Sequence, residues 1–307
     1  MKRLLIVYNP RSSHYGRIRK GVIEALKERK DWTLVKYEIG QMDVDENAVE
    51  LAKMIQDDDL VIAAGGDGTA AAALNGVMLA KAKNVRFGVL GFGNFNDTAR
   101  TFGEPKLEEI LRREPTEVWP LECRINGKLW RYGMCYFTIG MFAVACGVFD
   151  HPKTRRALRK GNKRVTFSMG VLARWWLKCR KMEKFLPEKF ELVNSTDEAI
   201  EVTGASDYLA INGLSVAKIM KGGKWYLKPG DFLSKTGRLT RFGGLVGFMT
   251  RSVLRRVPGV DSDYDKLVFA EPTEVMIQAE GEYEKIADVR TIEIRKSERP
   301  LLAVMKK

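Results

Sequence analysis

Within residues 3–92, short apolar runs alternate with helix-period segments, and that alternation limits the fold more than any other feature of the chain. RLLIVY, TLVKYEI, LVIAA and VRFGVLGF read as strands; IRKGVIEALKER, ENAVELAKMIQ and an alanine-rich stretch ending at Lys81 read as helices. Ile18, Val22, Ile23 and Leu26 fall on one face of a helix with 3.6 residues per turn. Repeated strand–helix units predict a doubly wound parallel sheet with helices on both faces. Ligands of such sheets bind at the carboxyl ends of the strands. Here those ends lead into the loops NPRSSHYG, AAGGDGT and GFGNFND.

From Glu117 the pattern changes to strand-like runs separated by turns: EVWPLECRI, then KLWRYGMCYFTI after the turn signal Asn126-Gly127. FELVN, YLAI, KWYLK, KLVFA, EVMIQAEGE and TIEIRK continue the series. Two helical insertions interrupt it, a basic segment and FGGLVGFMTRSVLRRV. The predicted division is an α/β domain over 1–118 and an antiparallel β-sandwich over 119–297. Residues 298–307, with the apolar LLAVM, are expected to return to the first domain.

Composition removes several classes. The opening MKRLLIVYNP is too short in apolar residues for a signal-peptide core and reads as a buried strand. The uncharged run from Gly133 to Phe149 is broken by Gly140 and Gly147, so buried strands with a turn are expected rather than a membrane span. Cys123, Cys135, Cys146 and Cys179 show no paired spacing, which fits a reducing cytoplasm and argues against zinc or a disulfide framework. The net charge of +13 is concentrated between His151 and Lys189, where thirteen basic residues face only Glu183 and Glu188. Such a patch suits an anionic partner surface. Leu172, Trp175, Cys179, Met182 and Leu186 give that segment one apolar face, as a helix in an anionic membrane surface would have. A helix packed on the sandwich with a solvated basic face is the alternative. No nucleic-acid motif accompanies the charge.

In LVIAAGGDGT, Gly65 and Gly66 permit a sharp turn and close approach of a ligand. The helix opening at Gly68 and Thr69 favours a phosphate at its free N–H groups. Asp67 would repel a phosphate unless it binds a cation or accepts a proton or hydrogen bond. It therefore either works with a metal–nucleotide complex or caps the helix.

GGDGT, after a hydrophobic strand and before Asn75-Gly76, resembles the signature of the diacylglycerol kinase catalytic domain, in a superfamily with sphingosine kinases and, more remotely, NAD kinases. YNPRSS resembles that family's NPxSG loop, with Ser13 at the glycine. GNFNDTARTFG resembles GTxNDFAR-LG, with Asn94 at the threonine. LAING, ending in Asn212-Gly213, and QAEGEYEKIADVRTIEIRK followed by PLLAV resemble two later blocks, the last built around DGE. The resemblance covers nearly the whole chain. It implies two domains with the active site in the cleft between them, and a lipid kinase using ATP and Mg²⁺. The nucleotide would lie on Asn9, Arg11, Ser13, Gly65, Gly66, Asp67, Gly68, Thr69, Gly93, Asn94 and Asn96, with Asp67 and Asp97 toward the metal. The proton-accepting role falls on Glu280, with Asp67 beside it in catalysis.

Three departures matter. Glutamate stands at 280 where the family has aspartate, Phe142 where a carboxylate is frequent, and Thr236-Gly237 where an Asp-Gly pair is usual. They leave open a non-catalytic nucleotide- or lipid-binding member. Phosphorylation of a soluble substrate is a further rival, although the second Thr-Gly-Ser motif of NAD kinases is missing from the sequence. The expected substrate is a diacylglycerol-like or sphingoid-like membrane lipid. The expected location is cytoplasmic, peripheral on the inner face of the membrane through the 153–189 segment, with a homodimer left open.

Overall fold

The computed structural model describes residues 2–144, 186–238 and 259–306 except 13, 41, 94 and 217–219, together with 170, 176, 177, 243, 246, 247 and 250. In chain order the first region contains β1 (Lys2–Tyr8), α1 (Tyr15–Ile18) running through a π-helical turn (Arg19–Ile23) into α2 (Glu24–Lys27), β2 (Trp32–Glu38), α3 (Val44–Met54) and β3 (Leu60–Gly65). It continues with α4 (Asp67–Leu79), β4 (Arg86–Gly91), α5 (Asp97–Thr101), α6 (Leu107–Arg112) and β5 (Thr116–Val118). The second region contains β6 (Leu121–Ile125), β7 (Lys128–Gly133), β8 (Tyr136–Gly140), β9 (Lys189–Val193), β10 (Ala199–Thr203) and β11 (Asp207–Ile211). After these come β12 (Ser215–Val216), β13 (Met220–Lys221), a 3-10 turn (Trp225–Leu227), β14 (Phe232–Gly237), β15 (Val260–Ser262), β16 (Tyr264–Ala279) and β17 (Glu282–Lys296). β18 (Leu301–Ala303) closes the chain.

The first sheet has the order β2-β1-β3-β4-β18-β5, parallel except for β5. Alternate side chains of β1 serve opposite faces. Leu5 and Val7 join α3 and α4 in one core, while Leu4, Ile6 and Tyr8 pack with Ile18, Val22, Ile23 and Leu26 in another. That is the doubly wound arrangement. Each fully buried aliphatic side chain contributes about 1.5–3 kcal/mol, whereas one helix cap contributes about 1 kcal/mol. The sheet therefore fixes the loops at its carboxyl end. β1 leads to β2 on one side and has β3 on the other, so the order reverses between the ends of β1 and β3. Ligands of open α/β sheets lie at such a reversal.

The second sheet is antiparallel, with ten strands among the described residues. Its axis is the long hairpin of β16 and β17. One half of β16 pairs with β9 at Lys266–Val268, and the other half pairs with β8 at Ile277–Ala279. The two halves enclose a core that includes Phe137, Tyr208, Phe232, Leu267, Ile277 and Ile292. A bulge between Val268 and Thr273 lets the strand continue past Pro272.

Some expectations are corrected. EVWPLECRI is two strands in different sheets, because Pro120 cannot donate to a ladder and the chain passes between regions at Trp119-Pro120. KLWRYGMCYFTI is also two strands, β7 and β8, both in the second sheet. KWYLK is the 3-10 turn, not a strand. In the run from Gly133, β8 ends at Gly140 with φ +93°, and residues 141–144 are helical rather than extended. β18 lies between β4 and β5. The basic segment and the second helical insertion lie almost wholly outside the described residues. Of the former, Trp176 and Leu186 are buried and Leu177 is exposed. Among the described residues, no helix is long and apolar enough to cross a membrane.

Candidate active site

The loops after β1, β3 and β4 meet at the carboxyl end of the first sheet. Tyr8 pairs with Ala64 in the β1–β3 register, which brings Asn9 beside Gly65. The Asn9 side chain accepts from the N–H of Arg11 at 2.8 Å, folding its loop into a tight turn. Gly66 is the N-cap of α4, with no side-chain cap. A Cβ on Gly93 would lie 2.5 Å from the Gly66 Cα, so the β3 and β4 loops touch through glycine backbones. The Phe92 N–H donates to the Gly65 carbonyl at 2.7 Å and strengthens that contact. Beside Gly65, the space a Cβ would need is filled by Thr69. Asn96 closes on its own loop, accepting from the Gly93 N–H at 2.6 Å and donating to its carbonyl at 3.0 Å. Ser13 and Asn94 lie outside the described residues.

Asp67 does not cap its own helix. Its two oxygens accept from the N–H groups of Asn96 at 2.9 Å and Asp97 at 2.7 Å, so it braces the start of α5. Asp97 is buried, paired with Arg100, and accepts from the Tyr136 hydroxyl at 3.4 Å. The hairpin of the second region supplies the third carboxylate. Glu280 and Gly281 form its two-residue turn, with φ +52° and +89°. Glutamate rarely occupies that left-handed region, which costs about 1–2 kcal/mol. It is held there by its carboxylate. One oxygen of Glu280 accepts from the N–H groups of Cys135 and Tyr136, and the other from the Thr98 hydroxyl at 2.9 Å. The turn seats on the start of α4, where a Cβ on Gly68 would meet the Glu282 carboxylate and one on Gly281 would approach the Asp67 Cβ at 3.9 Å.

Three carboxylates from two regions thus converge. Burial, then the charge of Asp97, then that of Glu280 push the Asp67 carboxyl up to about 7. Asp67 keeps partial exposure as a residue, but its carboxylate points into protein, which is why burial is the leading cause. Glu280, 1% exposed, is also raised by burial, while its donors pull it back. Such a cluster favours a shared proton or a cation.

Hard oxygen donors suit magnesium, which commonly takes one or two protein carboxylates and completes its shell with phosphates and water. Asp67, whose two oxygens each accept one backbone N–H and keep further acceptor capacity, would be the residue to hold it. Asp97 is already engaged by Arg100 and Tyr136. Among the described residues, no group of three or more acidic, histidine or cysteine side chains is arranged as a metal cage.

Sequence reasoning singled out Asp67, Asp97 and Glu280 but missed Thr98, Tyr136 and the Cys135 amide. No local signal marks them, because pairing across the chain brings them to Glu280. Phe142 and Thr236 fall away from the cluster. The Phe142 N–H donates to the buried Asp207 at 2.7 Å, and Thr236 lies on β14 opposite Tyr208.

Residues 3–118 match the model of the family described as the diacylglycerol kinase catalytic domain. A diacylglycerol kinase of Bacillus subtilis strain 168 is 35% identical over 128 residues, and the match spans 38% of this chain and 38% of the relative. A solved structure of a diacylglycerol kinase from Bacillus anthracis str. Sterne superposes with a TM-score of 0.68 at 14% identity, covering 99% of this chain and 97% of that one. At that identity the likeness establishes the two-region fold.

Proposed function

We propose that the chain, whose residues 3–118 match the diacylglycerol kinase catalytic domain, transfers the γ-phosphate of ATP to the hydroxyl of a diacylglycerol-like or sphingoid-like lipid. One observation carries this reading: Asp67, Asp97 and Glu280 meet where the β16–β17 hairpin seats on the start of α4. Phosphoryl transfer needs positioning and charge neutralisation more than covalent chemistry from the protein. In this reading the glycine loops bind the nucleotide phosphates, and Mg²⁺ near Asp67 supplies neutralisation of their charge. Asp67 holds the β3 and β4 loops in register. Glu280 accepts the proton of the acceptor hydroxyl, and the lipid enters between the two regions.

A second assignment of the base has its own support. Burial and the neighbouring carboxylates push Asp67 up to about 7, where a general base works best, and its carboxylate accepts two donors, whereas that of Glu280 accepts three. Glu280→Gln separates the two. With ATP and a diacylglycerol in detergent mixed micelles, it lowers turnover by about 10²–10⁴-fold if Glu280 is the base, with ATP affinity unchanged. Full turnover in that variant moves the role to Asp67. ATP binding without turnover across diacylglycerol and sphingoid micelles would instead identify a non-catalytic member.

A further inference from the structure

Behind the 134–136 backbone that holds Glu280, beside Thr101 of α5, lies a buried polar hub that the proposed chemistry does not use. Asn212 is fully buried, and every polar group it carries is engaged. Its amide nitrogen donates to the carbonyls of Trp119 and Met134, both at 2.9 Å. Its backbone N–H donates to the Cys135 carbonyl at 2.7 Å, and the next N–H, of Gly213, reaches the same oxygen at 2.9 Å. Its own carbonyl accepts from the Tyr226 N–H at 3.2 Å. Its side-chain oxygen accepts from the ammonium of Lys296.

Lys296 is 7% exposed, at the last position of β17. Besides Asn212, its ammonium reaches the carbonyls of Trp225 at 3.0 Å and Trp119 at 3.4 Å. Three acceptors use all three N–H groups of a protonated lysine, and a neutral amine would leave one acceptor unmatched. These acceptors are neutral oxygens; burial pushes the Lys296 ammonium down to about 7, and the dipoles together with the charge of Asp231 favour its protonated form. A buried charge held in this way is costly unless every donor is satisfied.

The hub acts on the segment that holds Glu280. Asn212 and Gly213 grip Met134 and Cys135 by their carbonyls, and the N–H groups of Cys135 and Tyr136 then point to the Glu280 carboxylate. Lys296 fixes which way the Asn212 amide faces. If the amide turned over, its NH₂ would meet the ammonium and its oxygen would meet two carbonyls. The hydrogen bonds therefore form an ordered series from Lys296 through Asn212 and the 134–136 backbone to Glu280.

We propose that Lys296 is a positioning residue for Glu280, acting through Asn212 to hold the Cys135 and Tyr136 N–H groups against its carboxylate. This rests on Glu280 being the base. It adds a residue that touches neither nucleotide nor acceptor.

The test uses the full chain, ATP and a diacylglycerol in detergent mixed micelles, with amide hydrogen exchange as a readout independent of turnover. Lys296→Met keeps the stem length and removes the ammonium. It is expected to lower kcat by about tenfold or more, since misplacement of a reacting group by about an ångström can cost 10²-fold, while KM for ATP stays within about twofold. Exchange at the Cys135 and Tyr136 amides should quicken, with the β1–β4 amides unchanged. In a Glu280→Gln background, Lys296→Met should add no further loss, because residues acting through one group are not additive. Should Lys296→Met fail to fold, Asn212→Asp carries the test. It keeps an acceptor for the ammonium and gives up the donations to Trp119 and Met134, with the same kcat loss and the same quickened exchange expected.

Wild-type kcat in the folded variant, unchanged exchange at Cys135 and Tyr136, or losses that multiply with Glu280→Gln would each overturn the proposal. Full turnover in Glu280→Gln alone would overturn the choice of base, and the exchange rates would still decide whether Lys296 holds the 134–136 backbone.

Discussion

The α/β region and the β region each bring carboxylates to the same point, but they hold them by different means. In the first, Asp67 and Asp97 stand at the starts of α4 and α5, on loops that follow buried parallel strands. Position there comes from the sheet, and the loops need only turn. In the second, Glu280 stands on a two-residue turn in left-handed backbone, and buried donors reach it from β8 and from α5. Position there comes from long-range pairing and stored strain. The second has little slack at its tip; in the first the tight contacts lie at Gly65 and Gly93, while Gly66 keeps some room.

A pair of glycine substitutions tests that contrast most strongly. Gly281→Val forces a β-branched residue to φ +89°, costing about 1–2 kcal/mol or more. It also tilts the hairpin tip, so turnover is expected to fall by about 10²-fold. Gly66→Ala has ordinary φ of −89°, and its added Cβ meets the Gly93 Cα at 3.3 Å. The two loops must give by a few tenths of an ångström, so a clearly smaller loss is expected in both Tm and kcat. Equal losses would mean that the loops of the first region are as finely set as the hairpin.

The same contrast explains what the sequence made legible. Ile18, Val22, Ile23 and Leu26 announce their helix because a helical period is local, and all four are buried. Helix α3 begins at Val44, ahead of the Glu46 read from its period, because Asp43 and Glu46 form a capping box. In the second region, KWYLK has strand composition, yet it turns because the Trp225 carbonyl and the Tyr226 N–H serve the Lys296–Asn212 hub. Glu280 was readable from the DGE-like block. Thr98, Tyr136, Lys296 and the Cys135 amide were not, because no spacing encodes a contact made across so many residues of chain. The carboxylate missing at Phe142 also changes meaning. A buried carboxylate, Asp207, lies against the Phe142 N–H, and burial pushes it up to about 7.

Titration offers a second, smaller way to sharpen the comparison, because the regions are coupled by charge. Asp67 is held near 7 by burial and by Asp97 and Glu280. If its ionised form is required, turnover should fall about tenfold per pH unit below 7. A carboxyl NMR titration should show Asp67 moving to lower pH in Glu280→Gln, since one of the charges that raise it is gone. Added Mg²⁺ should move it in the same direction, because cation and proton compete for one carboxylate. An Asp67 titration indifferent to both changes would mean that the hairpin contributes no field to the loops of the first region.

The smallest effect concerns the seam between the regions. Arg131 of β7 is 7% exposed at its side chain and forms two hydrogen bonds to Asp45 in the first turn of α3, at 2.6 and 2.8 Å. It also lies 3.3 Å from Glu284 and stacks on Trp130 with its guanidinium 4.6 Å from the ring centre. Asp45→Asn removes one charge from this group without creating a void. Asp45 is 42% exposed at its side chain, so water screens much of the attraction and the expected loss is about 1 kcal/mol or less. The buried guanidinium keeps Glu284 and the Trp130 face, which limits the penalty of leaving it unpaired. The core beneath the seam includes Leu51 and Leu74 of the first region and Leu209 and Ile211 of the second. A shared core of that kind predicts one cooperative transition, shifted by a few degrees at most. Two separated transitions in Asp45→Asn would show that the regions are joined chiefly by the seam's charges, and that Glu280 keeps its place against Asp67 only while those charges hold.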